Sequence, residues 1–250
     1  MTRAADFYTG IVADLYHPLK STSPDPEPYA RFIRQHGEPA LELGCGDGEP
    51  LLDLRRRGLA VQGVDSSADM LQRCRRAAAE AGLDVVLHHQ LMEELDLPGR
   101  YRSIFLAGPT FTLLPDDDAA LRALRGIRAH LTADGAALVP LFIPAPTPGH
   151  SFGQVREARA EDGALLRFSF VSEERDEGSR TQRTVLRYER HTAAGSTVVD
   201  RTWTRHWHTQ AGFRDLAAAA GLQTAAVCGG NGRPARAHAS SFAFLLRRGG

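Results

Sequence analysis

Lysine is almost missing from this chain: Lys20 stands alone, and every other cationic side chain is arginine. Lys+Arg and Asp+Glu both number 30, so the formal net charge is +0. That balance argues against a basic footprint for nucleic acid and against an acidic field for a cationic partner. Cysteine is scarce as well. Cys45, Cys74 and Cys228 are odd in number and lack C-x-x-C spacing, so neither a disulfide framework nor a zinc site is signalled. No apolar run approaches the length of a membrane span, and residues 1–6 lack the apolar centre of a targeting peptide. A soluble cytoplasmic protein without a membrane partner is expected.

What is present is an alternation of apolar strand-like runs with helix-like stretches. Strands are expected near 39–43, 60–64, 84–88, 102–107 and 136–142, with helices near 48–57, 67–81 and 117–131 between them. This order predicts a parallel sheet with helices on both faces. Ahead of it, Phe7, Tyr8, Ile11, Val12, Leu15 and Tyr16 recur at helical spacing, predicting a helix over 7–16, then a proline-rich turn and a helix over 29–35. From 152 to 206 the period changes to two, with turn signals at Glu161-Asp162-Gly163, Glu177-Gly178 and Ala194-Gly195, as in an antiparallel meander. A helix over 209–220 and strands near 222–228 and 240–247 follow. The expected division is 1–30, a core of 31–144 and 207–250, and an insertion of 145–206.

Chemistry is concentrated in Leu41-Glu42-Leu43-Gly44-Cys45-Gly46-Asp47-Gly48, where three glycines alternate after a short apolar strand. Glycine lets backbone approach a ligand closely, and the following helix turns its N–H groups and positive dipole end toward it. A dinucleotide fingerprint would need glycine at 49, where Glu49 stands, so a nicotinamide oxidoreductase is disfavoured. About twenty residues on, Val61-Gln62-Gly63-Val64-Asp65 ends the second strand in an acid. There an adenosine ribose would need an acceptor for its two hydroxyls. Ser66 and Ser67 cap the next helix, which carries Met70 either toward the adenine side or into the core.

On these residues the chain resembles a class I S-adenosylmethionine-dependent methyltransferase of the small-molecule type, from about residue 30 onward. Glu42, Gly44, Gly46 and Gly48 match motif I, and Asp65 the ribose-binding acid. Leu131-Thr132-Ala133-Asp134-Gly135 resembles the turn before the fifth strand. The stretch 203–209, followed by Ala219-Ala220-Gly221-Leu222, resembles the lead into the last helix. The layout is similar to glycine and deoxyamino-sugar N-methyltransferases. The resemblance implies a Rossmann-like, seven-stranded α/β sheet with helices on both faces, an inserted antiparallel meander and an N-terminal helical lid. It implies S-adenosylmethionine as cofactor, held by Tyr16, Glu42, Gly44, Gly46, Asp65, Ser66, Met70, Gln90, Leu91, Met92 and Ala107. One departure stands out: Leu91 occupies the place of the acid that usually holds the adenine amino group, leaving Gln90 to offer an amide and Leu91 and Met92 an apolar wall.

For the acceptor side the resemblance points to Thr110 and Phe111 after the fourth strand, with Phe111 equally readable as core. Tyr8 and Tyr16 are expected either to reach over the sulfonium, where cation–π attraction contributes on the order of 1 kcal/mol, or to staple the helix to the core. Arg205 and Trp207 are further acceptor-side candidates, Arg205 for an anionic group or for a structural ion pair. His206 and His208, with Tyr8, are the candidate catalytic residues should a base be needed, although lone histidines are commonly structural. No carboxylate–histidine set lies at metal spacing along the chain, so no metal is expected. The expected activity is methyl transfer to a small-molecule acceptor at N, O or C. The alternative is a protein of the same fold that binds the cofactor without transferring its methyl. The meander offers a strand edge through which a homodimer could form.

Overall fold

The computed structural model describes residues 7–20, 23–160, 162–229 and 232–249. Residues 1–6, read above for targeting signals, and Glu161 of one turn signal lie outside them.

Seven strands form the main sheet: β1 (Ala40–Leu43), β2 (Val61–Asp65), β3 (Leu87–His89), β4 (Tyr101–Leu106), β5 (Leu131–Phe142), β10 (Leu222–Cys228) and β11 (Ser241–Arg248). Their order is β10-β11-β5-β4-β1-β2-β3. β1 is parallel to β2 and β4, β2 to β3 and β4 to β5, whereas β11 is antiparallel to both β5 and β10. Strand order therefore reverses at β1, and the carboxyl ends of β1 and β4 diverge into a crevice. The expected seven-stranded Rossmann-like sheet is present.

Alternation along the strands builds two layers. On β4, Phe105 packs toward α2 (Glu27–His36), α3 (Leu51–Arg56) and α4 (Ala68–Glu80), meeting Ile33, Leu54 and Leu71. Ile104 and Leu106 point the other way, into a layer with Leu124 and Ile127 of α5 (Asp117–His130) and Phe213 of α6 (Gln210–Ala219). Side-chain caps start these helices. Ser67 Oγ accepts from the Met70 amide at 3.2 Å, Asp116 Oδ1 from Ala119 at 2.8 Å, and Thr209 Oγ1 from Gly212 at 3.1 Å.

The insertion is a second sheet of four antiparallel strands in the order β6 (Val155–Arg159), β7 (Leu165–Asp176), β8 (Thr181–Thr192) and β9 (Gly195–His206). Helix α1 (Ile11–Leu19) buries Val12 and Leu15, with Phe7 ahead of it, against Leu166, Leu186 and Tyr188 of that sheet. The N-terminal segment and the insertion thus share one hydrophobic cluster. None of the described helices is long and apolar enough to cross a membrane.

Some boundaries differ from expectation for local reasons. The helix expected over 7–16 is interrupted: α1 runs Ile11–Leu19, because Gly10 has φ 55 and donates its amide to Asp69 Oδ2 at 2.7 Å instead of continuing a turn from Phe7. The third strand starts at Leu87, where register with Gly63 begins. The stretch expected as a turn before the fifth strand lies inside β5. The ladder pairs Tyr101 with Leu131 and then Ser103 with Ala136, so residues 132–135 bulge out.

Gly63 is held to its size by its neighbours. A Cβ there would lie 2.6 Å from Cys45 Sγ and 2.7 Å from Leu51 Cδ1, inside the packed layer between β2 and α3. Gly63→Ala should therefore lower folding stability by about 1–3 kcal/mol through overpacking. Denaturant titration of the two proteins measures it, and equal midpoints would refute the close packing.

Candidate active site

At the carboxyl ends of β1, β2, β3 and β4 lies a cavity of about 380 Å³, within the roughly 300–1,000 Å³ typical of small-ligand pockets. Main-sheet residues form one side: Gly44, Gly46, Val64, Asp65, Ser66, Met70, Gln90, Leu91, Met92 and Glu93. Thr110, Leu113, Leu114 and Pro115 close it from beyond β4. Phe7, Tyr8 and Tyr16 come from the N-terminal segment, and Arg183, Thr202, Trp203 and Thr204 from β8 and β9. Register brings these last residues together, since Arg183 pairs with Thr204 and Thr184 with Trp203.

The loop after β1 is held open by its own backbone. Gly44 has φ 74, and a Cβ on it would meet Thr110 Cγ2 at 2.5 Å, so glycine is required for conformation and for space. Gly46, with φ 53, donates its amide to Asp65 Oδ2 at 2.8 Å, while Ser67 donates to Asp65 Oδ1 at 2.8 Å. Burial pushes the Asp65 carboxyl up and these two amides pull it back down. Each oxygen accepts one backbone bond and keeps further acceptor capacity for a ligand hydroxyl.

Glu42 lies beneath this loop, fully buried, and neither carboxylate oxygen has a partner among the described residues. Burial pushes its carboxyl well above the ordinary carboxylate range, with Asp65 and Asp47 adding to the effect. Above, the rings of Tyr8 and Tyr16 meet edge-on at 5.6 Å. Burial raises both phenols, so they stay protonated at neutral pH. Ser67 Oγ donates to the Tyr8 carbonyl at 2.5 Å, tying the N-terminal segment to the cap of α4.

Several expected residues are placed elsewhere. Gln90 reaches the cavity, but its side-chain amide is folded back on Asp96, donating to the carbonyl and accepting from the amide, each at 2.9 Å. Ala107 is not part of the wall: the chain reverses at Gly108, φ 76, and presents Thr110 instead. Phe111 is core, with its ring 5.3 Å from Phe213. Trp207 is buried under the Arg175 guanidinium, 4.1 Å from its ring, and Arg205 stacks at 4.3 Å on Trp203; neither lines the cavity.

His206 and His208 are likewise buried away from the cavity wall, and with them goes the case for either as a base facing the acceptor. Their rings meet each other and Asp117, the latter 3.6 Å from His206 Nε2 and 3.5 Å from His208 Nδ1. The premise that no carboxylate–histidine set exists at metal spacing is therefore overturned, because α5 delivers Asp117 from far along the chain.

The sequence reading missed Arg183, Thr202, Trp203 and Thr204, as well as Phe7, Glu93 and the stretch Leu113-Leu114-Pro115. The two-residue period of 152–206 announced strands, but not which ends would meet the main sheet.

Residues 40–135 match a family described as a methyltransferase domain. A dTDP-3-amino-3,6-dideoxy-alpha-D-glucopyranose N,N-dimethyltransferase of Streptomyces fradiae is 30% identical over 153 residues, covering 57% of this chain and 58% of that protein. The chain thus spans less than two thirds of that relative's length. A cypemycin N-terminal methyltransferase of a Streptomyces species is 25% identical over 213 residues, covering 85% of this chain and 84% of its own. Among solved structures, the CcbJ methyltransferase of Streptomyces caelestis superposes with a TM-score of 0.76 at 24% identity, covering 100% of this chain and 99% of that one. Other proteins of this fold were solved with S-adenosylmethionine or S-adenosylhomocysteine bound.

The buried Glu42 carboxyl has a consequence for stability. A pKa raised on folding contributes nothing adverse below the ordinary carboxylate value of about 4.3, and stability is lost progressively as pH rises from there toward the raised value. Without a bound ligand, Glu42→Gln should be more stable than the parent, by a margin larger at pH 8 than at pH 5. Urea unfolding at both pH values measures this, and a margin independent of pH would contradict the buried, unpartnered carboxyl.

Proposed function

We propose, from the match of residues 40–135 to a methyltransferase-domain family and the fold shared with solved methyltransferases, that the protein transfers the methyl group of S-adenosylmethionine to an amine nitrogen of a small molecule. The observation that carries this reading is the convergence of the Gly44–Gly46 backbone, Asp65 and the two tyrosines on one cavity at the reversal of strand order.

The residues present fit the cofactor. Asp65 has acceptor capacity for two ribose hydroxyls and is fixed by the Gly46 and Ser67 amides. Glu42, fully buried beneath the glycine loop, is not among the residues lining the cavity, so the direct contact to the cofactor expected of it gives way to a place under the loop that would hold the cofactor's amino-acid end. Leu91 and Met92 offer an apolar wall to adenine, without the customary acid at 91. Tyr8 and Tyr16 provide ring faces for a cationic sulfur. When bound, the cofactor supplies an electrophilic methyl on a sulfonium sulfur, open to in-line displacement. The chain's own contribution is to orient the acceptor and exclude water around it.

An amine acceptor is favoured by what the described lining residues lack. Tyr8 and Tyr16 hold their protons, Asp65 sits on the ribose side, Glu93 adjoins Met92, and Arg183 is cationic. None of these is a proton acceptor on the acceptor side, and a neutral amine needs none because its lone pair attacks directly. Both curated relatives described above are named for methylation at nitrogen. Arg183, Thr202, Thr204 and the partnerless Trp203 indole N–H supply the polar wall on which acceptor selection rests. We assign residues 145–206, together with α1, to the acceptor side.

Asp65→Ala should weaken S-adenosylmethionine binding roughly ten- to a hundredfold, the loss of one or two hydrogen bonds to a carboxylate. Calorimetry reads the change, and an unaltered dissociation constant would remove Asp65 from the ribose role. With methyl-labelled cofactor and a panel of small amines, alcohols and carbon acids, label should appear in amines. Label confined to alcohols or carbon would overturn the amine reading. Tight cofactor binding with no labelled product from any acceptor would instead favour a non-transferring protein.

A further inference from the structure

Outside the cavity, the chain gathers two imidazoles and a carboxylate at one point. Asp117 is the first residue of α5, His206 the last of β9, and His208 immediately precedes Thr209, the cap of α6. We propose that Asp117, His206 and His208 form a binding site for one first-row divalent metal ion, with zinc the best match to the donor set.

Distances favour ligation over hydrogen bonding. Asp117 Oδ1 faces both rings, 3.6 Å from His206 Nε2 and 3.5 Å from His208 Nδ1, and one donor atom from each residue lies within 4.8 Å of the others. Hydrogen bonds between nitrogen and oxygen run to about 3.2 Å. Two ligands each about 2.1 Å from a tetrahedral ion stand about 3.4 Å apart. The two nitrogen–oxygen separations match the second geometry.

Burial makes the same case independently. His206 is 3% exposed and His208 1%, yet His206 Nδ1 and both ring nitrogens of His208 have no hydrogen-bond partner among the described residues. Buried polar atoms ordinarily find one.

The surroundings orient the carboxylate. The Arg180 guanidinium pairs with Asp117 Oδ2, the other oxygen, and leaves Oδ1 to the imidazoles. Arg180 has φ 54, the single left-handed non-glycine residue among those described, and its carbonyl accepts the Trp207 amide at 3.0 Å. A residue held in that conformation marks a place the surrounding structure over-determines. Two nitrogens and one oxygen suit first-row divalent ions such as zinc, and a fourth position is left for water. None of the three residues lines the cavity. The ion would act as a clamp, pinning the start of α5, two residues past Pro115, to the end of β9, two residues past Thr204. Pro115 and Thr204 both line the cavity.

The full chain, stripped with a chelator and dialysed against Zn²⁺, should take up about one equivalent and unfold at a higher temperature. Loaded with Co²⁺, it should show the visible absorption of a low-symmetry, nitrogen- and oxygen-ligated ion. Asp117→Asn, at a half-exposed position, should keep its circular dichroism and its S-adenosylmethionine affinity while losing the bound zinc. His206→Gln should lose it as well. No uptake by the parent chain, or uptake that Asp117→Asn and His206→Gln retain in full, would overturn the site.

Discussion

The hydrogen bond from the Gly46 amide to Asp65 is the contact on which the cavity depends. It joins the loop leaving β1 to the end of β2, the two strands whose carboxyl ends frame the crevice. With Ser67 donating to the other oxygen, Asp65 becomes the hinge pin between the glycine loop and the start of α4. The same α4 cap reaches outward, since Ser67 Oγ holds the Tyr8 carbonyl. Three pieces of chain distant in sequence are thus referenced to one carboxylate. Its burial is opposed by the two amides it accepts, so the group that would meet a ligand is already oriented before one arrives.

The second sheet changes the sense of the N-terminal segment. Phe7, Val12 and Leu15 pack on Leu166, Leu186 and Tyr188 rather than on the seven-stranded core. The tyrosines above the cavity therefore belong structurally with the strands that carry Arg183, Trp203 and Thr204. One hydrophobic cluster positions the whole outer wall. The inner wall, formed by Gly44, Asp65 and their neighbours, belongs to the main sheet. The two walls can then vary separately, because different cores support them.

Legibility followed sequence distance. The glycine loop and Asp65 could be read because each is defined by its immediate neighbours: a short apolar strand, a residue without a Cβ, an acid at a strand end. Met70 could be placed on a helix face but not assigned to cavity or core, and it is both, lining the wall while nearly fully buried. Gln90 lines the cavity as expected, but its amide closes locally on Asp96, a choice that depends on the geometry of the chain beyond β3. Phe111 and Trp207 were candidates by position alone. The first went to the core with Phe213 and the second beneath Arg175, both favoured by apolar burial over exposure to a polar cavity.

The sequence by itself determined the fold class, the glycine loop and the acid at the end of β2, because period, turn chemistry and strand-end residues act over a few positions. Tertiary structure alone decided which side chains share a surface. It set Arg183 beside Thr204 through β-register, gave α1 to the second sheet, and brought Asp117 to His206 and His208. Those meetings depend on how layers close over one another, and a chain read in one dimension carries no direct record of the distance between residues in different layers.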